Sequence, residues 1–307
     1  MHTIPALNSR RHFALFSAQN RRRWVGWGFL APFMVVFLFV LVAPVIYAIY
    51  LSVFQDKLVG GNSFVGLANY ITALLDPQFY SAFLRVVLLL LVQVPIMLVL
   101  STIAALALDS SRLYFSALVR ISIFLPYAVP GVVAALLWGF MYGPQFGLVG
   151  NINSFFGIRL PDPLSSNFIL VAIGNIVTWE FVGYNMLILY SALRTVPKDL
   201  YEAAEIDGAG TFQVIRAIKL PALRPAFVVA LLFAVIGSFQ LFNEPNVLKT
   251  LAPNAISSNF TPNMYAYNLS FAGQQFNYAA AIAIVMGVIT MIVAYAVQVA
   301  GIRRENR

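Results

Sequence analysis

Few residues in this chain could do chemistry, and their types narrow what that chemistry is. Glu202, Glu205 and Asp207 crowd into one segment, Pro197-Lys-Asp-Leu-Tyr-Glu-Ala-Ala-Glu-Ile-Asp-Gly-Ala-Gly-Thr-Phe-Gln-Val-Ile-Arg-Ala-Ile-Lys-Leu-Pro221. Elsewhere Glu180 is the one acid expected well inside an apolar stretch, with Asn175, Thr178, Trp179, Tyr184 and Asn185 around it. Cysteine is absent, and both histidines, His2 and His12, lie near the start of the chain. Disulfides, thiolate metal sites, Cys nucleophiles and intramembrane histidine chemistry are thereby excluded. A phosphate-cradling loop needs Gly-x-x-x-x-Gly-Lys-Ser/Thr, and none of Lys57, Lys198, Lys219 and Lys249 follows a glycine. The chain is therefore not expected to hydrolyse ATP itself, and no cofactor or metal of its own is expected. Hydrogen bonding at membrane depth and a docking surface remain.

The elements that must position these residues are membrane helices. Hydrophobic residues make up 61% and charged residues 10% of the 307 residues, against about 45–50% and about 25% in soluble domains. Six stretches approach the roughly 20 apolar residues a spanning helix needs: Trp27–Val53, Phe83–Leu108, Ile121–Met141, Phe168–Leu193, Ala226–Phe242 and Ala279–Ile302. The first is too long for a cleaved leader, and Pro44 is expected to kink it. Fifteen Lys and Arg residues fall on one side of these spans, among them Arg10, Arg11, Arg21, Arg22, Arg23, Arg112 and Arg307, and four fall on the other. That asymmetry predicts cytoplasmic termini. It also accounts for the net charge of +8 through topology and lipid contact, without a nucleic-acid partner. The expected fold class is all-α integral membrane: a basic tail over 1–25, a six-span domain over 26–302 with a cytoplasmic loop at 194–225, and a short tail at 303–307. Outside, Phe64, Tyr70, Phe79 and Tyr80 suit a helix lying at headgroup level.

The cytoplasmic loop reads as a short helix–turn–helix. Pro197 fits a first helical position, and Asp199 and Glu202 sit near the positive end of the helix. Asp207-Gly208-Ala209-Gly210 stops it, Thr211 is expected to cap a second helix, and Pro221 is expected to end that one. Ala203 and Ala204 permit close approach, while Glu202, Glu205 and Asp207 can meet cations on a partner. Composition alone leaves open an amphipathic loop that rests on the membrane and binds nothing.

At these residues the sequence resembles the permease subunits of binding-protein-dependent ABC importers. The pattern is Glu202-Ala203-Ala204, then Gly208, then Ile218-Lys219-Leu220-Pro221. The longer string from Glu202 to Ala209, through Asp207, is similar to the carbohydrate branch typified by maltose and glycerol-3-phosphate permeases. Phe64-Val-Gly-Leu-Ala-Asn-Tyr70 and Trp179 to Leu193 extend the likeness, which covers nearly everything beyond the first 25 residues. The resemblance implies a type I importer bundle whose 194–225 loop is the coupling helix. Glu202, Ala203, Ala204, Asp207, Gly208, Ile218, Leu220 and Pro221 would then meet a separate ATPase dimer that binds ATP and Mg. It further implies a second homologous permease, an extracytoplasmic sugar-binding protein and a bacterial or archaeal inner membrane.

A sugar path needs hydrogen-bonding groups interleaved with aromatics. Tyr184, Asn185, Gln240 and Asn243 are the candidates for it, beside other polar residues such as Gln93 and Ser238. Thr178, Phe181 and Asn185 share one helical stripe, and Glu180 and Tyr184 share another. Glu180 is expected to be structural, paired to a neighbouring helix or to Arg85. The alternatives are a secondary carrier for a small polar solute, opposed by the lack of a visible inverted repeat, and a membrane enzyme, opposed by the lack of an acidic or histidine cluster outside the loop.

Overall fold

The computed structural model describes residues 25–57, 61–110 and 114–305. His2, His12 and the basic residues Arg10, Arg11, Arg21, Arg22, Arg23, Arg112 and Arg307 lie outside the described residues. In chain order the elements are α1 (Val25–Ser52), a hairpin of β1 (Phe54–Lys57) and β2 (Gly61–Phe64), α2 (Ala68–Leu75), α3 (Pro77–Leu108), α4 (Ser116–Phe124), α5 (Gly131–Met141), α6 (Leu148–Phe156) and α7 (Ile169–Leu193). They continue with α8 (Lys198–Ile206), α9 (Thr211–Val214), α10 (Arg224–Phe239), α11 (Asn243–Leu248), α12 (Pro262–Phe271) and α13 (Phe276–Glu305). Among the described residues five helical segments are long and apolar enough to cross a bilayer, and α4 with α5 make a sixth if that bent pair is one span. Helices are the required solution, because hydrocarbon offers no partner for an open backbone.

Prolines explain most departures from the expected spans. The stretch expected as the third span bends by 99° between Ala128 and Gly131. Val129 is extended (φ −79°, ψ 127°) because Pro130 crowds the residue before it out of the helical region, and Pro130 itself follows at ψ 134°. Pro44 sits just past a π-helical stretch, Leu38–Val42, which lets α1 continue through the proline. Pro221 repeats the arrangement behind Ile215–Lys219. The helix expected to stop at Pro221 therefore runs on to Ala222. The segment after α1 contains a hairpin in the register Phe54↔Phe64 ahead of α2, and Phe79, expected at the headgroups, is buried on α3.

Small residues set the packing. Gly183 on α7 lies so close to the Ile123 carbonyl of α4 that no Cβ fits between them, the close approach that membrane helices use in place of a hydrophobic drive. Ser101 of α3 donates to the Val182 carbonyl of α7 (3.0 Å), and Gln93 donates to Thr178 (3.1 Å). At one end of the bundle Leu108, Met186, Leu189, Leu193 and Leu223 form one core, which roots the 194–225 loop in α3, α7 and α10. The apolar centre of α1 buries nothing inside this chain; its last turn is tied to α13 by Asn277 Nδ2 donating to the Leu51 carbonyl (3.1 Å).

Candidate functional site: the 194–225 loop and the break at Pro130

The loop folds as the spacing requires. Pro197 precedes the first turn of α8, and Asp207 closes the helix. Gly208 then takes φ +71°. Its N–H donates to the Glu205 carbonyl (3.0 Å), and the Ala209 N–H donates to the Ala204 carbonyl (2.8 Å). These are the paired bonds of a Schellman turn, with small alanines at the two positions that meet across it. Nothing stands within 4 Å of where a Cβ on Gly208 would be, so the demand for glycine comes from the backbone angle alone. Thr211 is not the next cap. Gly210 takes that position, and the Gln213 side chain accepts from its N–H (2.7 Å).

Glu202, Ala203, Glu205 and Asp207 are exposed, and Ala204 is half-buried. Ile206 is 86% exposed and Phe212 74% exposed, either side of the glycine turn. Two apolar side chains and three acids exposed on so short a segment make a face that water does not favour. Ile218 and Pro221 are half-buried, and Leu220 is exposed. Lys219 holds the face in place. Its Nζ donates to Asp109 Oδ2 at the end of α3 (2.6 Å) and sits 5.6 Å over the Tyr201 ring of α8. Burial, with the nearby Asp109 charge, raises the Tyr201 hydroxyl above the ordinary tyrosine range.

The second locus surrounds the broken span. Tyr127, in the turn Leu125–Ala128, stacks on Tyr184 of α7 (centroids 4.8 Å, 18°) and meets Phe181 edge-on. Phe233 of α10 meets Tyr184 edge-on at 6.5 Å. Beside them Gly131 lets two carboxyl groups converge: Glu244 Oε1 lies 2.9 Å and Glu180 Oε1 3.5 Å from where its Cβ would be, and Asn243 Cβ lies at 3.8 Å. Glu180 is buried and its Oε2 has no hydrogen-bond partner. The pairing expected between Glu180 and Arg85 is not made. Arg85 donates to the Phe260 carbonyl (3.4 Å) and lies over the Phe260 ring. Nor is Glu180 the one acid at depth, since Glu244 is buried on the short α11.

Of the four path candidates, the structure brings Tyr184 and Asn243 to this locus. Asn185 is 3% exposed and turned toward α3, donating to the Phe181 carbonyl (2.9 Å) with Met97 Sδ also in reach. Gln240 is exposed at the end of α10. Asn175 and Gln93 are spent on Tyr142 and Thr178. Sequence reasoning missed Tyr127, Gly131, Glu244 and Asp109. The available signals were Pro126 and Pro130 for the break, and an acid directly after the second span.

The whole is a bundle of apolar helices that presents an exposed, glycine-turned loop. The chain belongs to the family of binding-protein-dependent transport system inner membrane components, whose model matches residues 97–305. It is 32% identical over 277 residues to the arabinooligosaccharides transport system permease protein AraP of Bacillus subtilis (strain 168), covering 86% of this chain and 84% of that one. It is 29% identical over 279 residues to the lactose transport system permease protein LacF of Rhizobium radiobacter, covering 88% and 91%. The fold matches a chain in the crystal structure of a bacterial ABC transporter involved in the import of the acidic polysaccharide alginate, at a TM-score of 0.81, 21% identity and coverage of 94% and 98%.

Proposed function

We propose that this chain forms one half of the membrane path of an ATP-driven importer for a neutral oligosaccharide or polyol-type solute. The observation that carries the reading is the exposed Ile206–Phe212 face on a Schellman turn. An apolar, acid-rimmed, rigid element outside the apolar spans fits a cleft on a cytoplasmic ATPase dimer and can pass a rigid-body displacement to the helices behind it. Glu202, Ala203, Ala204, Asp207 and Gly208 make that contact, with Ile218, Leu220 and Pro221 backing it. ATP and Mg belong to the ATPase, and this chain hydrolyses nothing. A second homologous permease closes the path, and an extracytoplasmic binding protein delivers the solute.

A sugar as cargo is supported by the relatives' substrates and by the Tyr127–Tyr184 stack, whose flat faces suit a pyranose ring. Tyr184 and Asn243 line the path, and Gln240 extends it; Asn185 contributes through the backing of α7 on α3. The fifteen-to-four distribution of basic residues supports both termini in the cytoplasm, with residues 26–302 as the membrane domain. The test is purification of the tagged chain from a mild detergent extract. Recovery of a second permease and a P-loop ATPase supports the reading. A chain recovered alone and monodisperse defeats it.

A further inference from the structure

We propose that α3 is the rod that carries displacement of the cytoplasmic loop across the membrane, with latches at both of its ends. The inference rests on the coupling reading of the loop given above. The inner latch is Asp109, the residue that closes α3, bound by Lys219 Nζ at 2.6 Å, with the same ammonium over the Tyr201 ring. It is the one ion pair among the described residues, and both side chains are only about an eighth exposed, at 12% and 13%. Lys219 thus joins three pieces of backbone: the helix that bears Glu202 and Ile206, the π-helical return segment, and the end of α3. The Tyr201 hydroxyl is buried without a hydrogen-bond partner. The ring is therefore kept there as a face for the cation and not for its oxygen.

The outer latch is Asp76, immediately before the first residue of α3. Its Oδ2 accepts from Tyr265 of α12 (2.6 Å) and Tyr278 of α13 (2.7 Å), while its Oδ1 caps the helix through the Gln78 N–H (2.8 Å). Between the latches α3 runs 32 residues, about 48 Å at 1.5 Å per residue. It is pinned to α7 at two depths, by Gln93 to Thr178 and by Ser101 to the Val182 carbonyl. The helix is continuous between these ties, passing through Pro95 without a break. The turn at Gly208 and the α12–α13 corner outside are then two ends of one lever.

The lever is tested with spin labels. The chain has no cysteine, so a pair at Leu200→Cys and Ile103→Cys, both exposed in the native chain and neither placed in the ATPase contact, reports the loop against α3. The sample is the complex purified with its ATPase in nanodiscs, without nucleotide and after trapping with ATP and vanadate. The distance between the labels stays constant between the two states in the otherwise native chain. In Lys219→Met it changes by about 5 Å or more, the scale of a one-turn displacement, and transport-linked hydrolysis loses its coupling by about fivefold. The swap Asp109→Lys with Lys219→Asp returns the constant distance. A distance that changes in the native chain overturns the lever, whatever the variants do. So does a Lys219→Met complex that behaves as native. If Lys219→Met does not assemble, Asp109→Asn with the native-chain measurement decides. If no ATPase copurifies, the coupling reading falls and the lever with it; if the ATPase copurifies and traps vanadate while the labels move apart, the lever alone falls.

Discussion

Replacing Gly208 separates the backbone demand of the loop from every other contact it makes. The residue sits at φ +71° with open space where a Cβ would go, so a side chain meets no neighbour and the whole penalty is the left-handed conformation. That conformation costs an L-residue about 1–2 kcal/mol, less for asparagine and more for a β-branched residue. Two hydrogen bonds depend on it, Gly208 N–H to Glu205 and Ala209 N–H to Ala204, so the turn opens as a unit. A cost of about 1.4 kcal/mol per tenfold puts the loss in the competent turn at roughly fivefold to thirtyfold for Gly208→Ala. Gly208→Asn should lose less and Gly208→Val more. The assay is titration of the detergent-solubilised permease pair with its ATPase, read by fluorescence anisotropy, with amounts equalised by size-exclusion. The order Gly, Asn, Ala, Val in falling affinity supports the argument. Equal binding by Gly208→Val would refute it, and equal losses at Asn and Val would move the cause from φ to side-chain bulk.

Three further outcomes follow from other parts of the structure. Gly183→Ala places a methyl group against the Ile123 carbonyl and the Phe124 Cα. Backbone cannot step aside as a side chain can, so the variant should lose about 1–3 kcal/mol, seen as a lower thermal midpoint by tryptophan fluorescence; an unchanged midpoint would mean α4 is not held on α7. Burial raises the Asp76 carboxyl, but hydrogen bonds from Tyr265, Tyr278, Gln78 and Phe79 outweigh it and hold the group below the usual carboxylate range. A depressed carboxylate stabilises the fold above its unfolded value and loses that contribution as pH falls through the folded one. The native chain should therefore lose stability below about pH 4, whereas Asp76→Asn, less stable at pH 7, should show a flatter acid limb in the same thermal assay. An epitope tag on either terminus should resist labelling from outside intact cells, and external labelling would overturn the orientation.

The loop was legible because its determinants are local. Pro197, Gly208 and the alanines on each side act within one or two turns, and the bonds they make follow from the spacing. The span break was written in the same residues that hid it. Pro126 and Pro130 sit in an unbroken apolar run, so hydropathy alone reads one helix, while the steric rule for the residue before a proline places the kink at Val129. Pro221 is the opposite case, since the local rule ends a helix there. A π-helical stretch ahead of the ring carries the chain through, as it does ahead of Pro44.

Partner choice at depth was not legible, for a different reason. Pairing Glu180 with Arg85 used charge and approximate depth, but on a helix each residue turns about 100° from the last, and azimuth decides who meets. Arg85 turns to a loop carbonyl at Phe260, and Glu180 turns to Gly131 and Glu244. Glu244 lies beyond the fifth span as hydropathy bounds it, at Phe242, because hydropathy falls just where the chain bends into α11. The same fall hid the locus as a whole: the groups that leave a helix free to break and turn are those that a hydropathy window counts against it. In a transport bundle the polar path and the broken spans coincide for that reason, and the residues that end a predicted span are the first place to look for the path.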